Sequence, residues 1–221
     1  MGAALPVSTA PLTLYSGLGT CALAVHLCLE EAGADYRVVP VDFANNQQRS
    51  PEYLRRNPLG RVPVLEMERG VLTEVPAILA YLAQSYPASA VGAGDDAFTF
   101  GQAQSFNCFL SSSAHVAHAH GRRAYRWSDD AAAQQTMVAK VPGNMLDLFQ
   151  IVEARLSPGP WVLGERYSIS DPYLYVVGGW LEKDGVDVGL LPRLLRHRQA
   201  MEARPAIRRV LDALPALYGK R

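Results

Sequence analysis

The strongest constraint on this chain lies in Asn57-Pro58-Leu59-Gly60-Arg61-Val62-Pro63-Val64-Leu65. A Pro/Gly turn runs straight into a short apolar strand that carries a proline. Proline has no backbone N–H, so a strand tolerates it at an edge or where the ladder is interrupted. X-Pro is also the linkage for which a cis bond costs little, which makes Val62-Pro63 a candidate cis bond. A proline so placed turns the N–H and C=O of Val62 outward, where an extended ligand can pair with them as another strand would. Soon after, Leu72-Thr73-Glu74-Val75-Pro76-Ala77-Ile78-Leu79-Ala80-Tyr81-Leu82-Ala83 reads as an amphipathic helix. Glu74 stands just before its start, and Pro76 suits its first turn.

Upstream, Leu12-Thr13-Leu14-Tyr15 reads as a first strand, Cys21 to Ala32 as a helix stopped by Gly33, and Tyr36 to Val41 as a second strand. A polar loop from Asn45 to Pro51 and a short helix over 52–56 follow. Val62 to Glu66 and Val71-Leu72 make a hairpin with its turn near Arg69-Gly70. This is a small α/β module over 12–87. Residues 88–97, rich in Ala, Ser, Gly and Asp, read as a linker. Beyond it β-alternation disappears, and 98–117, 131–156, 171–182, 191–204 and 205–214 read as helices, so 98–221 is expected to be all-helical. Ser168 and Asp171 form an N-capping arrangement at the third of these helices, a structural role.

Bulk properties narrow the function classes. A chain of 221 residues fits one large or two small domains. Twenty-one basic and 21 acidic residues cancel, so nothing points to nucleic acid or an anionic membrane. No apolar run approaches the roughly 18 residues of a membrane helix. Residues 1–11 lack a basic start and a long apolar stretch, and read as a short flexible arm rather than a signal peptide. Three cysteines suit a reducing cytoplasm better than a disulfide scaffold.

The Asn-Pro-x-Gly-x-Val-Pro-x-Leu run, followed by Leu-Thr-Glu before an Ala-Ile-x-x-Tyr-Leu helix, resembles the signature of the glutathione S-transferase family. Tyr15-Ser16-Gly17-Leu18-Gly19-Thr20-Cys21 is similar to the bacterial beta class, where Gly-x-Cys opens the first helix. The resemblance implies a thioredoxin-like domain followed by an α-helical bundle domain, glutathione as co-substrate with no metal, and a homodimer. It implies that Cys21 acts on the sulfur. A cysteine at a helix N-terminus gains thiolate character from the dipole and the unpaired N–H groups; the plain alternative is a small buried cysteine filling space. Tyr15 and Ser16 are rival activators, Tyr15 being better explained by strand packing while Ser16 offers a hydroxyl.

By the same resemblance Glu74 receives the α-amino group of glutathione, and the backbone N–H of Val75, at a helix start, receives its α-carboxylate. Val75 departs from the Ser or Gly common there and lacks a side-chain hydroxyl. Val62, beside Pro63, supplies the backbone pair to the cysteinyl part. Gln48 or Arg49 in the polar loop answers the glycine carboxylate. The segment from Phe106 to His115 resembles the helix that carries a histidine over the cofactor sulfur, which gives His115 an acid–base role. Aligned on His115, Cys108 falls where the class tends to carry an asparagine that touches glutathione; a redox pair of Cys21 and Cys108 is the sharper reading, a reduced cysteine lining the cleft the plainer one.

Cys28, seven residues from Cys21 on one helix and so about 10 Å along its axis, cannot pair with it and reads as core. His115, His118 and His120 suggest a metal, but His120 falls on another helix face and no partner carboxylate or thiolate spacing accompanies them. A polar helix end with Arg122, Arg123 and Arg126 is the plainer reading. The expected function is conjugation of the glutathione thiol to a small electrophilic or hydrophobic substrate. The alternatives are a glutathione-dependent thiol–disulfide oxidoreductase with Cys21 as nucleophile, and a non-catalytic ligand-binding member of the fold.

Overall fold

The computed structural model describes residues 11–92, 96–156 and 159–219 and places its four strands in one sheet of order β2-β1-β3-β4. β1 (Leu12–Ser16) runs parallel to β2 (Tyr36–Pro40) and antiparallel to β3 (Val64–Met67), which forms a hairpin with β4 (Gly70–Thr73). Between them lie α1 (Ala22–Ala32) and α2 (Pro51–Arg56), and α3 (Val75–Ser85) follows the hairpin. This β-α-β-α-β-β-α order is the thioredoxin-like arrangement. Local chemistry fixes the ends of its elements. Gly33 closes α1 at φ 64, a left-handed conformation that costs a glycine little. Ser50 caps α2 by accepting the Tyr53 N–H at 3.1 Å, with Pro51 in the first turn.

The compact unit built on this sheet takes in the described part of Met1–Ala93 and also that of Pro205–Arg221. The final helix α9 (Pro205–Tyr218) therefore departs from the expected all-helical domain over 98–221. It packs on α1 and buries Ala206, Ile207 and Val210. Arg209 donates to Glu30 at 2.7 Å, and the Tyr218 hydroxyl donates to Ser16 Oγ at 2.8 Å. Glu30 also accepts the Tyr36 hydroxyl at 2.7 Å. Against the cost of burial, the bonds from Arg209 and Tyr36 hold its carboxyl below the usual range. The expected arm over 1–11 lies, but for Pro11, outside the described residues, as do 93–95 of the expected linker.

The second unit, Gly94–Arg204, contains only helices and short bridges among its described residues. α4 (Ala97–Phe109) starts on Asp96, whose carboxylate accepts the Phe98 and Thr99 N–H groups. The single helix expected over 98–117 is instead interrupted by a π-helical turn, Leu110–Ala114, before α5 (His115–Arg123). α6 (Ala131–Arg155), α7 (Ser170–Gly178) and α8 (Pro192–Glu202) complete the unit. Fully buried Asp171, in the first turn of α7, accepts the Ser168 N–H at 2.7 Å and the Ser168 hydroxyl at 3.1 Å. Its other oxygen accepts the Val162 N–H at 2.8 Å and His197 Nε2–H at 3.2 Å. Ser168 Oγ in turn accepts the Ser170 N–H. The expected pair is thus present, with both of its side-chain bonds running from Ser168 to the Asp171 carboxylate, and it is wired into a larger buried network.

Candidate active site

Strand register gathers most of the first unit's predicted residues at one end of the sheet. Tyr15 lies opposite Val64, and Val64 opposite Thr73. One step beyond these pairs come Ser16, Pro63 and Glu74. The Val62-Pro63 bond is cis, as expected. Cys21, at the N-cap of α1, points its thiol at the Val62 carbonyl, 3.7 Å away, and is 7% exposed. Thr20 organises the preceding turn: its hydroxyl donates to the Gly17 carbonyl at 2.7 Å and accepts the Ala22 N–H at 3.4 Å.

The turn that delivers Val62 is held by side chains. Asn57 Nδ2 donates to the Arg61 carbonyl at 2.9 Å while its Oδ1 accepts the Leu59 N–H at 3.0 Å. The Tyr53 hydroxyl donates to the same Arg61 carbonyl at 2.9 Å. Gly60 has φ 60, and a Cβ there would lie 2.7 Å from the Gln48 carbonyl. Only glycine lets the Gln47–Arg49 segment press so closely on this turn. Arg49 is exposed and donates to the Leu59 carbonyl at 3.3 Å, while Gln48 Nε2 reaches Asn46 and its buried Oε1 has no partner.

Glu74 is exposed, without a capping bond of its own, and adopts φ 67, ψ 119 immediately before α3. A non-glycine residue there carries about 1–3 kcal/mol of strain, a cost that collects at binding sites. Val75 opens α3 directly after it. Ser16 is placed otherwise than as a ligand hydroxyl: it is 1% exposed and its oxygen accepts the bond from Tyr218. Tyr15 is strand packing. Its hydroxyl donates to Glu66 at 2.8 Å and its ring meets Tyr53 edge-on. Burial, then the bond to Glu66, raises its pKa, which keeps it a phenol. Cys28 is fully buried and its thiol is pushed upward by burial, as a core cysteine should be.

In the second unit, His115 is the first residue of α5, directly after the π-turn. In an unbroken α-helix the residue seven before it, Cys108, would share its face. A π-turn inserts about one extra residue and moves that place one step back. Cys108 is exposed, whereas the preceding Asn107 is fully buried with neither amide atom partnered. Asn107 carries no signal in the sequence, because a π-turn within Leu110–Ala114 has no compositional mark.

Around His115 the contacts are aromatic and hydrogen-bonded. Its ring lies 5.0 Å from that of Trp180. His118 stacks on the same indole at 4.3 Å and 24°, and its Nδ1 meets both oxygens of Asp184 at 2.9 and 2.8 Å. His120 bonds to the Val116 carbonyl and stacks on Trp127 at 4.1 Å. Among the described residues no three His, Cys, Asp or Glu side chains converge as a metal site requires.

Comparison with known proteins covers both units. Residues 10–84 match the family model of the glutathione S-transferase N-terminal domain, and 113–205 that of the C-terminal domain. The chain is 30% identical over 204 residues to the glutathione S-transferase GST-4.5 of Xanthomonas campestris, covering 91% of this chain and 98% of that one. A glutathione transferase homolog from Sulfitobacter, solved with bound glutathione, is 42% identical with a TM-score of 0.87, over 91% of this chain and 97% of the other. A bacterial beta class glutathione S-transferase from Sphingomonas chungbukensis is 29% identical with a TM-score of 0.78, over 91% and 98%.

Proposed function

The chain belongs to the glutathione S-transferase family, and from that premise we infer that it is a glutathione S-transferase, conjugating the thiol of glutathione to a small electrophile. The observation that carries this reading is the Cys21 thiol resting on the Val62 carbonyl at the N-terminus of α1.

The donor set fits the tripeptide. An exposed carboxylate at Glu74 suits its ammonium group, the start of α3 at Val75 suits its α-carboxylate, and the backbone of Val62 beside Pro63 suits its cysteinyl unit. Arg49, exposed and cationic, is the better of the two loop candidates for the glycine carboxylate, since Gln48 is turned toward Asn46. Cys21 offers the glutathione sulfur a thiol at the positive end of a helix. His115 is assigned as the imidazole that takes the thiol proton or, once protonated, stabilises the thiolate. The thiolate then attacks the electrophilic carbon and forms the carbon–sulfur bond, while the leaving group departs with its bonding electron pair or, in an addition, the π pair shifts off that carbon and is protonated. In this reading Asn107 replaces Cys108 as the polar contact from α4, and Ser16 supports the loop rather than the ligand.

A homodimer in the cytoplasm belongs to the same reading: no helix among the described residues is long and apolar enough to cross a membrane, and Cys28 and Cys108 are free thiols, as a reducing compartment allows. Sedimentation of the purified protein tests the dimer. The activity is tested by comparing wild type with Cys21→Ala and Cys21→Ser in two assays, conjugation to an aromatic electrophile and reduction of a mixed glutathione disulfide. Conjugation by wild type that falls about 10- to 100-fold in both variants while glutathione still binds is the expected result. Disulfide reduction lost with conjugation retained would make Cys21 a redox nucleophile instead.

A further inference from the structure

Trp180 and Asp184 lie one turn apart after α7, tied by the Asp184 N–H bonding to the Trp180 carbonyl at 3.0 Å. The Trp180 N–H in turn bonds to the Val177 carbonyl at 3.2 Å. Facing them on α5 are His115 and His118, three residues apart and therefore on one side of that helix. The four side chains form a chain of contacts. Asp184 grips His118 through both carboxylate oxygens, His118 stacks flat on Trp180, and the ring of His115 lies 5.0 Å from that of Trp180 and 6.4 Å from that of His118. Trp180 is 8% exposed, and the side chains of Asp184 and His118 are 8% and 16% exposed. A buried carboxylate bonded to an imidazole that covers an indole is a rigid assembly, because each ring blocks the rotamers of the next.

We propose that Trp180 is a positioning residue for His115, and that the Asp184–His118 pair acts through it by locking the indole in place. The inference rests on the reading of His115 as the imidazole that handles the thiol proton. The Trp180 ring, 5.0 Å away and tilted by 59°, blocks part of the space the His115 imidazole could turn into, an effect on the rate of the chemical step rather than on glutathione affinity.

The test is a double-mutant cycle on the full-length protein, reading kcat and the KM for glutathione in the conjugation assay. Trp180→Ala is expected to lower kcat on the order of 10- to 100-fold with KM changed less than about twofold. Trp180→Phe, which keeps an aromatic wall, is expected to recover most of that loss. Asp184→Asn is expected to lower kcat by less than Trp180→Ala does, since the indole itself remains. In a His115→Ala background the same substitutions are expected to change nothing further, because the group they position is gone. Thermal melting establishes that folded enzyme is compared; where Trp180→Ala unfolds, Trp180→Phe and Asp184→Asn carry the cycle. Losses that persist in full without His115, or that fall on KM alone, overturn the proposal. Wild-type kcat in His115→Ala would sink the assignment of His115 itself, and the positioning role with it.

Discussion

The groups that the first unit presents at the end of its sheet are largely backbone: the Val62 carbonyl, the start of α1 at Cys21 and the start of α3 at Val75. Their placement follows from strand register and from a turn braced by Asn57 and Tyr53. The second unit presents side chains instead: His115 against Trp180, and His118 on Asp184. Backbone groups survive most substitutions, whereas a stack of side chains is only as sound as each of its members. The two units also treat polarity differently. The first leaves Glu74 in a strained conformation at the surface, and the second buries Asp171 and surrounds its carboxylate with four donors. Damage to one side chain should therefore cost far more in the second unit.

Asp171 gives the largest expected effect. Asp171→Ala removes the acceptor of four donors in a fully buried site, those of Ser168 N, Ser168 Oγ, Val162 N and His197 Nε2. The expected loss is about 3–5 kcal/mol, because buried donors are left without partners. The denaturant midpoint reads it directly. A loss below about 1 kcal/mol would mean that the network relaxes onto water, and the contrast between the units would fail.

The first unit has one buried titratable group that should show comparable weight, but only in acid. His26 on α1 is 5% exposed and meets Tyr36 edge-on at 5.5 Å. Burial lowers its pKa to about 4, against a smaller opposing pull from Glu30. Below pH 6.5 the unfolded chain takes up a proton that the folded protein refuses until about pH 4. Its contribution is thus fully present above pH 6.5 and lost as pH falls through that window, about 3 kcal/mol in all. His26→Gln should flatten this acid slope in urea melts taken from pH 7 to 4. An unchanged slope would show that the acid sensitivity arises elsewhere.

Much of the first unit was legible because proline and glycine write backbone geometry into sequence. Pro63 marked the cis bond, Gly33 the end of α1, and Glu74 the start of α3. The Ser168–Asp171 cap was equally readable. What escaped was the result of packing. Nothing local in Leu110–Ala114 announces a π-turn, and nothing in the sequence marks Asn107 as the buried polar residue of α4. The pairing of His118 with Asp184 spans 66 residues, and no periodicity within either segment contains it. The seat of α9 in the first unit was hidden for the same reason, since 205–214 reads as one more helix.

Glu74 offers a smaller effect with two opposed readouts. Glu74→Gly removes the carboxylate assigned to the glutathione ammonium group and should raise KM for glutathione about tenfold, or about 1.4 kcal/mol. It also places glycine at φ 67, where the strain of an L-residue disappears. Folding stability should rise by up to about 1 kcal/mol after the entropy cost of glycine. Glu74→Ala separates the two, losing affinity without the gain in stability. If Glu74→Gly were less stable than wild type, the conformation would not be strained, and the contrast with the hydrogen-bonded Asp171 of the second unit would weaken.

The smallest expected effect decides where the C-terminal helix belongs. Burial raises the pKa of Tyr218, partly offset by Ser16, so the hydroxyl remains a proton donor across the working pH range. Its acceptor, Ser16 Oγ, is 1% exposed and shielded from competing water. Tyr218→Phe keeps the ring and removes only this bond, for an expected loss of about 0.5–1 kcal/mol read from the melting transition. Arg209 serves as the control: its side chain is 61% exposed, so the ion pair with Glu30 should count for little, and Arg209→Ala should leave the melt almost unmoved. A loss in Tyr218→Phe that disappears when Ser16→Ala is made in the same chain would tie α9 to the end of β1, and so to the loop that carries Cys21. Equal, additive losses would leave α9 held by its apolar face alone.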